Sequence, residues 1–70
     1  MVNITIGQKI KKTRTDAGIT GEELAKKLGI SSGMVYRIET DSKQPSLKLL
    51  ATMAKTLGTD ISEIVKGVKI

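Results

Sequence analysis

Seventy residues with no cysteine and no histidine hold one domain, residues 1–70, and give it neither a disulfide framework nor a zinc site. At 39% hydrophobic and 27% charged residues the chain is too apolar for disorder, and no stretch approaches the roughly 18 apolar residues of a membrane span, so a folded cytoplasmic domain is expected. Its net charge of +5 suits an anionic partner such as DNA, RNA or a membrane surface, and Lys9, Lys11, Lys12 and Arg14 crowd one stretch with no acid among them.

Thr5 and Gln8 have the spacing of a capping box, and Ile6, Ile10 and Ala17 supply an apolar stripe up to a stop at Gly18. A first helix is therefore predicted over residues 6–17. Thr20 with Glu23 repeats the capping pattern, Leu24, Ala25 and Leu28 follow at helical spacing, and Gly29 can take the left-handed conformation that ends a second helix. After the turn Gly29-Ile30-Ser31, either Ser31 or Ser32 caps a third helix, whose Val35 and Ile38 face inward and which ends near Thr40.

Residues 41–44 read as a polar loop closed by Pro45. Ser46 then caps a fourth helix carrying Leu47, Leu50, Ala51, Ala54 and Leu57 before Gly58. Asp60 with Glu63 opens a short fifth helix with Ile61, Ile64 and Val65, ended by Gly67. Five short helices with tight connections predict an all-α bundle. At the two ends, Val2, Ile4 and Ile6, and likewise Val68 and Ile70, alternate like strands, which leaves two readings: docked or frayed tails, or a small two-stranded ribbon.

The segment 20–39 carries the functional information. Two short helices joined by a three-residue turn have the layout of a helix-turn-helix, with a small residue, Ala25, where the helices must approach and Gly29 where the turn needs a positive φ. Each residue has a purely structural explanation. Their joint spacing also leaves the outer face of the third helix free to enter a groove roughly 12 Å wide.

In these residues the sequence resembles the Xre-like family of phage repressors and Cro proteins. The resemblance covers residues 6–65 and rests on Arg14, Thr20-Gly21-Glu22-Glu23-Leu24-Ala25, Leu28-Gly29-Ile30-Ser31, Val35-Tyr36-Arg37-Ile38-Glu39, Pro45-Ser46 and Leu57-Gly58. It implies a five-helix repressor fold, dimeric binding to a two-fold operator in double-stranded DNA, and a recognition helix beginning near Ser32. It also implies a structural ion pair between Arg14 and Glu39, which keeps both off the list of DNA contacts.

On that reading the base-contact candidates are Ser32, Gly33, Met34, Tyr36 and Arg37. The planar fork of Arg37 matches O6 and N7 of guanine, and Tyr36 can meet a thymine methyl or a phosphate; either is equally explicable as a solvated side chain. Phosphate contacts are expected at the starts of the second and third helices, from Thr20, Gly21 and Ser31, where unpaired N–H groups and the helix dipole favour an anion. Ser42, Lys43 and Gln44 sit where the family commonly grips the backbone, with Lys9, Lys12, Lys26 and Lys27 as looser candidates.

Three residues depart from the family pattern. Gly21 replaces a glutamine that commonly braces the recognition helix, and Gly33 replaces a polar or basic side chain that commonly reads a base. Backbone contacts and DNA shape would then carry more of the readout, with Gly33 letting the helix approach more closely; loss of sequence reading is the competing outcome. Asp41 stands where glycine is usual. It tolerates a left-handed turn, but its charge is expected to weaken binding slightly.

With no histidine or cysteine, one tyrosine and no phosphate-cradling glycine loop, the chain is not expected to be an enzyme or to need a cofactor. No membrane or small-molecule partner is expected either. The rival to a DNA-binding regulator is a protein-interaction module, antitoxin-like or coactivator-like, built on the same fold. A homodimer is expected because one module reads too few base pairs, and Ile61, Ile64, Val65, Val68 and Ile70 either form its interface or simply close the monomer.

Overall fold

The computed structural model describes residues 4–66 and 68. Its helices are α1 (Ile6–Asp16), α2 (Gly21–Leu28), α3 (Ser32–Glu39), α4 (Leu47–Thr56) and α5 (Ile61–Val65). Each starts where a side-chain oxygen takes over an N–H that the helix itself leaves without a partner: Thr5 for Gln8, Thr20 for Glu23, Ser31 for Met34, Ser46 for Leu49 and Asp60 for Glu63. At α1 and α2 the cap is reciprocal, since the side chains of Gln8 and Glu23 accept from the backbone of Thr5 and Thr20. Ser31, and not Ser32, is the cap of α3.

The principal helix contacts close a ring, α1 to α3, α3 to α2, α2 to α4, α4 to α5 and α5 back to α1. Inside it lie Ile10, Leu24, Ala25, Val35, Ile38, Leu50, Met53, Ala54, Leu57 and Ile64. All five helices thus contribute, which lets so short a chain assemble one continuous core.

The observed α4 faces differently from the expected one. Leu50, Met53, Ala54 and Leu57 repeat at i, i+3, i+4 and i+7 and fill the core, with Met53 wholly buried. Leu47 is 73% exposed because it begins the helix beyond the edge of the core, and Ala51 lies exposed on the flank of the stripe. Ala17 likewise is the exposed C-cap of α1 and adds nothing to its buried face. The terminal alternation yields a single parallel bridge between Ile4 and Val68; Val2, Gly67 and Ile70 lie outside the described residues.

One close approach positions α3. Gly7 of α1 is buried against the last turn of α3, where a methyl group would overlap the backbone oxygen of Ile38 and come within 2.7 Å of that of Glu39. Only glycine lets the two backbones meet there.

Candidate nucleic-acid interface

The turn between α2 and α3 is short because Gly29 supplies a left-handed residue, φ 71°, that lets the Ile30 N–H fold back on the Ala25 carbonyl at 3.0 Å. Ser31 follows as the extended cap of α3. Leu24 and Ala25 from one helix and Val35 and Ile38 from the other are buried in the same cluster, so the pair is held as a rigid unit.

Arg14 anchors that unit to α1. Its Nε donates to Glu39 Oε2 at 2.6 Å and its Nη2 to Oε1 at 3.0 Å, while Nη1 donates to the Ile19 carbonyl at 2.8 Å. The guanidinium therefore ties together α1, the turn before α2, and the end of α3. Both side chains are largely shielded, 14% and 7% exposed, and the hydrogen bond to Glu39 raises the arginine's pKa further above its already high ordinary value.

Outside this scaffold an open cleft of about 480 Å³ runs between the start of α2 and α3, lined by Lys11, Thr20, Gly21, Glu22, Ser32 and Tyr36 among others. It brings together part of the expected site, Thr20 and Gly21 from α2 with Ser32 and Tyr36 from α3. Tyr36 is 68% exposed at its edge. Gly33 and Arg37, one helical turn apart, form an adjacent exposed row outside the cleft, whereas Met34 is half-buried and packs partly on the core.

Capping decides which backbone donors remain. The Thr20 N–H is engaged by Glu23 at 2.9 Å, the Glu23 N–H by Thr20 at 3.1 Å, and the Met34 N–H by Ser31 at 3.1 Å. The N–H groups of Gly21 and Glu22 in α2, and of Ser32 and Gly33 in α3, have no acceptor among the described residues and are left for an external oxygen. A methyl group on Gly21 would come no nearer than 3.9 Å to Val35, and one on Gly33 no nearer than 3.9 Å to Ser31, so packing within the protein requires neither glycine.

Ser42, Lys43 and Gln44 are exposed in the loop after α3 and do not line the cleft. The loop is nonetheless fixed, since the Ser42 and Lys43 N–H groups both donate to the Arg37 carbonyl, at 2.8 and 3.2 Å. Asp41 at its start has φ 63°, the left-handed turn that aspartate tolerates. Of the looser candidates, Lys12 is paired with Asp16 at 3.3 Å on an exposed face. From the basic stretch of residues 9–14, Lys11 lines the cleft, its place three residues before Arg14 setting it on the same side of α1; Glu22 adds an unforeseen acid to the same lining.

Residues 10–64 match the family model described as helix-turn-helix. The chain belongs to this family, in its Xre-like branch. It is similar to the immunity repressor protein of Bacillus phage phi105, 39% identical over 62 residues that make up 89% of this chain and 43% of the phage protein. It thus spans less than half the length of that relative. It is also similar to an uncharacterised helix-turn-helix-type transcriptional regulator of Methanocaldococcus jannaschii, 43% identical over 56 residues, 80% of this chain and 85% of the other. Among solved structures, the master regulator for biofilm formation SinR in complex with DNA superposes with a TM-score of 0.79 at 29% identity, covering 87% of this chain and 98% of that one. The relatives named here are a repressor and regulators, and none of them is described as an enzyme. No helix among the described residues is long and apolar enough to cross a membrane.

Proposed function

We propose that the protein is a sequence-specific, double-stranded DNA-binding regulator of transcription that acts in the cytoplasm as a dimeric repressor on a two-fold operator. The observation that carries this reading is the outer face of α3. Ser32, Gly33, Tyr36 and Arg37 are exposed on a helix whose opposite face is locked into the core, beside two helix starts that each retain unengaged N–H groups. Phosphates are gripped by the amides at Gly21 and Gly33 and by Ser42, Lys43 and Gln44. Arg37 and Tyr36 supply the side-chain reading that the two glycines do not. The phage immunity repressor among the relatives and the DNA-bound neighbour support the same reading.

Of the residues expected at a dimer interface, Ile64 is wholly buried in the core, and Ile61 and Val65 pack partly against it. Dimerisation through this end would therefore use the remaining surface of Ile61, Val65 and Val68, which are half-buried.

The test is selection of bound duplexes from a random pool at two salt concentrations. Recovery of a two-fold-symmetric motif, with affinity falling steeply as salt rises, is the expected result. Salt-sensitive binding without a motif overturns sequence-specific regulation and directs the search to a protein partner.

A further inference from the structure

We propose that Asp41 is a positioning residue that latches the recognition helix to α1; the inference rests on the DNA-binding reading above. Its carboxylate reaches back 34 residues to the start of α1, where Oδ1 accepts the Gly7 N–H at 3.1 Å and Oδ2 accepts the Thr5 hydroxyl at 2.6 Å. The same Thr5 hydroxyl accepts the Gln8 N–H, and the Thr5 N–H donates to Gln8. Three of the four N–H groups that α1 cannot satisfy internally, those of Thr5, Gly7 and Gln8, therefore have side-chain acceptors, and one of these acceptors comes from the end of α3. A negative group at a helix N-terminus is also favoured by the helix dipole.

The geometry explains what the latch does. Glu39, the last residue of α3, and Asp41, two residues on, grip α1 at two separate places, Arg14 and the Thr5/Gly7 cap. Gly7 and Arg14 are seven residues apart, about 10 Å along the helix. One anchor would leave α3 free to pivot against α1; two fix its rotation. Asp41 also begins the loop that carries Ser42, Lys43 and Gln44, so the latch sets that loop relative to the recognition face. Its charge is spent on donors of α1, which argues against the simple expectation that it repels DNA phosphates.

Two substitutions separate positioning from repulsion. Asp41→Asn keeps an acceptor oxygen for the Gly7 N–H and tolerates the left-handed turn, but removes the charge; Asp41→Gly keeps the turn and removes both. Affinities of wild type and both variants are measured for the duplex recovered by selection and for a scrambled duplex at one salt concentration, together with amide hydrogen exchange at Gly7. Positioning predicts that Asp41→Asn keeps the specific-to-scrambled ratio within about twofold, whereas Asp41→Gly lowers it about fivefold and speeds exchange at Gly7 by a similar factor, the ordinary weight of one capping hydrogen bond. If both variants bind both duplexes more tightly with an unchanged ratio, repulsion is the role of Asp41 and the proposal is overturned. Faster Gly7 exchange with an unchanged ratio in Asp41→Gly also overturns it, leaving a cap without influence on recognition. A wild-type protein that prefers no duplex overturns the DNA-binding reading itself, and is seen before any variant is made.

Discussion

Arg14 and Glu39 meet through two N–H···O bonds of 2.6 and 3.0 Å, joining the first helix to the last residue of α3. Both side chains are largely shielded from water, so removing one leaves the other charge without its partner in a poorly solvated place. Arg14→Leu should destabilise the fold by about 3 kcal/mol. The double variant Arg14→Leu/Glu39→Leu should recover a large part of that loss, because no unpaired charge remains. Chemical denaturation of the four proteins in a double-mutant cycle checks this; equal losses in all three variants would contradict it.

Gly7→Ala should be among the most damaging single substitutions. The added carbon would meet backbone oxygens of Ile38 and Glu39, which cannot swing aside as a side-chain tip could. Forcing α1 away from α3 is expected to cost about 2–3 kcal/mol, measured as a lowered denaturation midpoint. A midpoint equal to wild type would show that the two helices have slack.

Gly33→Ala is expected to act in the opposite direction on the free protein. A methyl group there would make only an ordinary contact, 3.9 Å from the Ser31 hydroxyl, and replacing glycine in a helix is worth up to about 1 kcal/mol. Gly33→Gln should fold equally well but weaken specific DNA binding, since a long side chain holds the helix start off the bases. Unchanged or improved specific binding would remove close approach as the reason for the glycine.

Acid should unfold the protein partly through its helix caps. The Thr20 N–H and hydroxyl hold the Glu23 carboxyl below its ordinary range, and the Ser62 hydroxyl and Glu63 N–H do the same for Asp60. Because the folded-state pKa values lie below the unfolded ones, both groups add stability above the ordinary carboxylate range, and that stability is lost as pH falls through the depressed values. The thermal midpoint should stay level down to about pH 5 and drop below about pH 4. Glu23→Gln, which keeps an acceptor for the Thr20 N–H, should shallow that drop; an unaltered acid limb would contradict the assignment.

The capping residues made the helix starts legible, because Thr5, Thr20, Ser46 and Asp60 act on amides three residues away and need no tertiary contact to be recognised. The turn at Gly29 was readable for the same reason. What local pattern could not settle was the facing of α4, where Met53 and not Ala51 is buried, since the edge of the core is set by the other four helices. Gly7 and Asp41 were invisible as a pair: they are 34 residues apart, and each has an ordinary local reading, a glycine in a first turn and an aspartate in a loop. In the recognition face, the stripe of α3 could be assigned from its inward Val35 and Ile38. The presence of Lys11 and Glu22 in the cleft depends on how α1 and α2 are set against it.

Whether the outer face of α3 reads DNA is tested by titrating the nitrogen-15-labelled protein with a selected duplex and following its amide resonances. Residues 32–37 should shift most, accompanied by residues 20–22 and 42–44, with Gly21 and Gly33 moving strongly because their N–H groups meet phosphate oxygens. Saturating duplex that leaves residues 32–37 unmoved, while shifting resonances elsewhere in the fold, would contradict this role of α3.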